Sequence, residues 1–252
     1  MPFYSILRRG LFLRRKSLEL ASGAFDPNDW QALALGGDSP NVVYIPIPKA
    51  ANSSIRQAFR PCFGLEHAKV DNIHQDNRID KRDLSAALAA ASPDAFVFSV
   101  VRHPALRARS CFQNKLGWFD HRGKLKGRFG HAARLGMRRG ISFEQYLHIL
   151  AATPEWAMDS HFKPQAALLQ YALDDPRLQL FKTETINDEW PAIAARISEL
   201  VPVGPTPTLG EFNRTKPSIK PFSDREKRLI DQIYADDFEK FGYTWRELQE
   251  NS

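Results

Sequence analysis

Asn41-Val-Val-Tyr-Ile-Pro-Ile-Pro-Lys-Ala-Ala-Asn-Ser-Ser-Ile55 is a β-branched run that breaks on two prolines and gives way to small and hydroxyl residues. Its first part reads as a strand over about 42–46, closed by Pro46 and Pro48. Ser53 to Phe59 reads as a helix, stopped before Pro61. A lysine and two serines therefore stand between a strand and a helix start. Helix N-termini present unsatisfied amides and a positive dipole end, so they favour an anion. Ala50 and Ala51 let the backbone approach a ligand, Lys49 adds a full charge, and Ser53 and Ser54 add donors. This describes a phosphate cradle, although the G-x-x-x-x-G-K-[ST] loop is absent. The alternative is an ordinary strand–helix turn capped by Ser53 or Asn52.

The pattern repeats downstream. Ala95-Phe-Val-Phe-Ser-Val-Val101 is nearly all apolar, as expected of a strand covered on both faces in a parallel sheet. Arg102 follows at its carboxyl end, where such sheets bind ligands. Pro104 suits the first position of a helix running to Leu116, which carries Ser110 eight residues beyond Arg102. A guanidinium with a serine hydroxyl suits a terminal phosphate. The bland alternative makes Arg102, Arg107 and Arg109 a solvated basic face and Ser110 an ordinary helix residue.

Further signals complete an α/β reading. Asp80–Ala91 has a helical composition. Ser142-x-x-Gln145 and Ser223-x-x-Glu226 are capping boxes opening helices, the second ending near Phe241 with Gly242 as its C′ residue. Arg177–Phe181 alternates like a strand, Ile186–Leu200 is helical, and Val201–Pro207 reads as a rigid connection. Strand–helix repetition predicts an α/β fold with a central, mostly parallel sheet flanked by helices. The expected organisation is an N-terminal basic segment and leading helix over 1–40, a single domain over 41–245 with a basic insertion at 117–140, and a tail at 246–252.

Composition excludes several classes. The chain has 252 residues, 43% hydrophobic and 25% charged, which is neither a disordered nor a fibrous chain. Two cysteines, Cys62 and Cys111, cannot build a disulfide framework. No apolar stretch reaches membrane-spanning length, and a cytoplasmic setting is the expectation. The net charge is +6, yet residues 121–140 hold seven cations and no acid, leaving the rest of the chain at −1. Such a segment suits a polyanion, and the lack of interleaved aromatics argues against nucleic acid. A second group, Arg8, Arg9, Arg14, Arg15 and Lys16, lies among apolar residues and is a candidate for peripheral membrane contact.

Taken together, Ile47-Pro-Lys-Ala-Ala-Asn-Ser-Ser-Ile55 and Phe98-Ser-Val-Val-Arg-His-Pro-Ala-Leu-Arg-Ala-Arg-Ser-Cys-Phe-Gln-Asn-Lys115 resemble the 5′-phosphosulfate loop and 3′-phosphate segment of sulfotransferases that use 3′-phosphoadenosine-5′-phosphosulfate (PAPS). The resemblance is to the carbohydrate sulfotransferase-like branch, sulfotransferase family 2. Asp159-Ser-His-Phe-Lys-Pro-Gln165, Leu180-Phe-Lys-Thr-Glu-Thr-Ile186 and Tyr234-Ala-Asp-Asp-Phe-Glu-Lys-Phe-Gly-Tyr243 fit the same branch. The chain departs from it where threonine or glycine usually occupies the first loop, here Ala51, Asn52 and Ser53. It departs again at His103, where an acidic or amide residue often follows the arginine.

The resemblance implies a P-loop-like sulfotransferase fold and metal-free sulfuryl transfer from PAPS to a hydroxyl, of a carbohydrate or glycolipid. Lys49 would act at the bridging and 5′-phosphate oxygens. Ala50, Ala51, Asn52, Ser53 and Ser54 would hold the 5′-phosphate, and Arg102 and Ser110 the 3′-phosphate. His74 and His161 are candidates for the general base, with His67 a further one, and Glu184 for a supporting carboxylate. Trp118, Phe119 and Trp156 could stack on a sugar ring. Arg122, Lys124, Lys126 and Arg128 would meet an anionic acceptor. Two other classes stay open: a nucleotide-dependent phosphotransferase, and a non-catalytic polyanion-binding protein.

Overall fold

The computed structural model describes residues 3–21, 30–65, 80–116, 130–138, 140–201, 207–210 and 221–248. His67, His74, Trp118, Phe119, the 122–128 cations and most of the 201–207 connection lie outside them. The chain forms two compact units. One comprises 29–103 and 165–214, the other 1–28, 104–164 and 215–252.

The first unit is built on a five-stranded sheet of β1 (Gln31–Leu35), β2 (Val42–Ile45), β3 (Lys81–Asp83), β4 (Phe96–Val101) and β5 (Leu178–Lys182), in the order β3-β1-β2-β4-β5. β2, β4 and β5 pair in parallel, whereas β1 is antiparallel to both its neighbours. Four strands thus share one direction and β1 alone runs against them, so the sheet is mostly but not wholly parallel. β4 is buried at every position, the outcome its nearly all-apolar run predicts.

Helices α2 (Asn52–Phe59), α3 (Leu84–Ala90), α7 (Gln165–Leu168) and α8 (Ile186–Leu200) complete this unit. Its core gathers Tyr44, Ile55, Phe59, Phe96 and Phe98 with Trp190, Ile193 and Ile197 of α8. The rings interlock, with Phe96 and Phe98 stacked at 4.8 Å and Phe59 edge-on to Tyr44 at 5.6 Å. This packing fixes α2 against β2, and with it the loop that joins them.

Two elements differ from the sequence expectation. The 80–91 helix begins only at Leu84, because Lys81–Asp83 are drawn into the sheet as the edge strand β3. Gln31–Leu35 is a strand despite its alanines and leucines, which favour helix. Burial of four of its five residues between β2 and β3 overrides that preference.

The second unit is helical: α1 (Phe3–Ala21), α4 (Pro104–Leu116), α5 (Gly130–Arg134), α6 (Phe143–Ala151) and α9 (Asp224–Phe241). Its core holds Ala105, Ala108 and Cys111 of α4, Leu147 and Leu150 of α6, and Ile230 and Tyr234 of α9. Ser142 and Ser223 form the capping boxes of α6 and α9, and Gly242 closes α9 with φ 61°. No described helix is long and apolar enough to cross a membrane.

Candidate active site

The loop after β2 is held from both sides. Trp30 Nε1 donates to the Pro46 carbonyl at 2.6 Å, and Ser99 Oγ of β4 donates to the Ile45 carbonyl at 2.7 Å. Ala50 N donates to the Ile47 carbonyl at 3.2 Å, folding the chain back before α2 begins. Lys49 and Ala51 both take left-handed backbone angles, φ 71° and φ 53°. Such angles cost an L-residue about 1–2 kcal/mol each and persist only where the surroundings impose them. Ala51 is the N-cap of α2, and no side chain caps that helix. The N-cap position therefore falls on Ala51 and not on Ser53 or Asn52, the residues an ordinary turn would use. The opening amides of a helix have no acceptor within it, which is the setting that favours an anion.

Arg102 joins this loop directly. Its Nη1 donates to the Lys49 carbonyl at 3.2 Å, so the ends of the neighbouring parallel strands β2 and β4 bring the two segments together. The backbone of Arg102 is clamped by buried Gln165, whose Oε1 accepts from Arg102 N at 2.9 Å and whose Nε2 donates to Arg102 O at 2.8 Å. His103 N donates to Glu184 Oε1 at 3.0 Å, and Thr183 N to the Val101 carbonyl at 2.8 Å. Glu184 thus steadies the residue after Arg102 from the end of β5. Gln165 was not singled out by sequence; it closes the Asp159–Gln165 motif, which was the only signal available.

In the helical unit, Ser110 is buried on α4. Arg107, one turn earlier, is no solvated cation: at 1% exposure it donates to the carbonyls of Lys163 at 2.8 Å and Ser160 at 3.0 Å. Tyr234 Oη donates to the Phe162 carbonyl at 3.0 Å. These three bonds pin the turn carrying His161, whose Nδ1 lies 2.7 Å from Asp159 Oδ1. A carboxylate beside Nδ1 fixes the orientation of the imidazole, as such partners do for histidines that transfer protons. Arg109 lies over the Phe222 ring at 3.3 Å, and burial lowers its pKa. Trp156 is half-buried against the same core, a packing role.

On α1, Phe12 is buried while Leu11 and Leu18, two turns apart, are 59% and 64% exposed beside Arg14 and Arg15. Among the described residues, no three His, Cys, Asp or Glu side chains are gathered as metal ligands.

The β2 loop, the start of α2 and the arginine ending the next parallel strand thus meet in a strand–loop–helix turn without a P-loop's glycine, an arrangement chemically suited to an anion. No curated protein and no solved structure matches the chain. The model described as the sulfotransferase family does match it, over residues 37–244. That span includes both phosphate-type segments and every strand of the sheet except β1, and the chain belongs to the sulfotransferase family, in its family 2 branch.

Proposed function

We propose that this transferase takes its sulfuryl group from PAPS and delivers it to a hydroxyl of a carbohydrate or glycolipid. The observation that carries the reading is the bond from Arg102 Nη1 to the Lys49 carbonyl. An adenosine phosphorylated at both ends of its ribose needs two cationic groups at adjoining strand tips, and these two meet that need. In the transfer, the bond between sulfur and the donor's bridging oxygen breaks and one to the acceptor oxygen forms. The acceptor proton passes to a base, leaving a sulfate ester and adenosine 3′,5′-bisphosphate. Lys49 offsets the charge growing on the leaving oxygen. Residues 50–54 hold the 5′-phosphate, and Arg102 and Ser110 the 3′-phosphate. The Asp159–His161 pair supports His161 as the base; His74 is the rival. The cations of 122–128 serve an anionic acceptor, and the exposed basic face of α1 serves a membrane surface.

Thermal melts with nucleotides test the donor. Adenosine 3′,5′-bisphosphate at 100 times its Kd should stabilise by about 2.7 kcal/mol, and 5′-AMP with magnesium should not. Equal stabilisation by ATP–magnesium, with none by the bisphosphate, would replace this reading with a phosphotransferase. Response to no nucleotide, with salt-sensitive heparin binding, would make it a polyanion-binding protein.

A further inference from the structure

Arg56 stands one turn into α2 and is only 4% exposed. Helical side chains lean toward the N-terminus, over the preceding turn. Its Nε confirms that direction by donating to Asn52 Oδ1 at 2.9 Å. The guanidinium therefore lies level with the opening turn of α2, where the phosphate loop ends. Nη1 is enclosed and donates to nothing, and the hydroxyl of Tyr44, its electrostatic neighbour, is also buried without a hydrogen bond. No carboxylate among the described residues offsets this charge, and burial lowers the Arg56 pKa.

A buried guanidinium is normally paired, since desolvating it alone is expensive. Here the only group bonded to it among the described residues is a neutral amide. Arginine has only donors, so Asn52 must turn its oxygen inward and its nitrogen away. The carboxamide nitrogen then adds a donor to the turn whose backbone amides no side chain caps.

We infer that Arg56 is a positioning residue of the donor site: it orients Asn52 toward a phosphate oxyanion at the start of α2 and keeps its own charge unneutralised for that anion. The inference rests on the donor reading above and extends it to a residue no motif marks. A built-in carboxylate would stabilise the free protein and repel the ligand, which explains the amide at position 52.

Calorimetric titration with adenosine 3′,5′-bisphosphate, paired with thermal melts of the ligand-free protein, tests this in the full chain. Asn52→Asp places a carboxylate on the existing Arg56 bond. It should raise the melting temperature while weakening bisphosphate binding at least tenfold. Arg56→Met removes the charge at similar length and should also cost at least tenfold in affinity, without lowering the melting temperature. Opposite movement of stability and affinity is what a purely structural arginine would not produce. Wild-type affinity in both variants, or loss of stability and affinity together in both, would overturn the inference. Failure of the wild type itself to bind the bisphosphate would instead remove the donor reading beneath it.

Discussion

Lys49 and Arg102 touch, yet the proposed transfer gives them different roles. Lys49 is the cation assigned to the leaving oxygen, where charge grows only as the bond breaks. Lys49→Ala should therefore lower kcat by about 10²–10³-fold, the cost of removing one oxyanion donor. Arg102→Ala should act on donor KM, by about 10–100-fold, since a charged hydrogen bond lost from ground and transition state alike is worth about 1.5–3 kcal/mol. Steady-state assays with labelled donor separate the two effects, and a shared kcat defect would refute the division. The backbone makes a separate prediction at Ala51. A β-branched side chain tolerates φ 53° far worse than alanine. Ala51→Val should lose about 2 kcal/mol in urea denaturation, whereas Ala51→Gly should be neutral or slightly stabilising. Lys49, Arg102 and the serines were legible because their chemistry is written in residue type beside a strand end. Arg56 and Gln165 were not. A charge inside a helix and an amide inside a motif declare their roles only through burial and partners.

The elements themselves were legible where sequence pattern and burial agree. The apolar run of β4, the proline opening α4 and both capping boxes each encode their ends locally. β1 and β3 were missed because the first is made of helix-favouring residues and the second of three polar ones. Both become strands only through their neighbours. Arg177 shows how another junction is held. It donates to the carbonyls of Leu88 in the last turn of α3 and of Ala91 and Ser92 after it, and grips Asp175 through Nε at 2.9 Å and Nη2 at 2.7 Å. That fork lowers the Asp175 pKa. A carboxylate depressed by folding stabilises fully above its unfolded pKa of about 3.9, and the contribution is lost as pH falls through the folded value. Asp175→Asn should accordingly cost about 1–2 kcal/mol at pH 7. The gap from wild type should close progressively below about pH 4. Chemical denaturation across that range measures it, and a gap independent of pH would show the ion pair contributes nothing.

At the scale of the whole chain, the basic excess is concentrated in one segment. The seven cations of residues 121–140 account for more than the net charge of +6, so removing them leaves a weakly acidic protein. The proposed donor cradle, by contrast, draws on Lys49, Arg56 and Arg102, all within residues 29–103 of the sheet-bearing unit. A mononucleotide donor whose two phosphate ends each have a cation of their own has little need of a further basic run. An extended anionic acceptor gains from many such charges at once. Replacing Arg122, Lys124, Lys126 and Arg128 by glutamine should therefore raise KM for an anionic glycan several-fold and flatten its salt dependence. Bisphosphate affinity should stay within about twofold of wild type. Turnover on a neutral acceptor should also change little, which distinguishes lost acceptor attraction from general damage. Parallel loss of bisphosphate and acceptor binding would mean that the segment serves the donor after all.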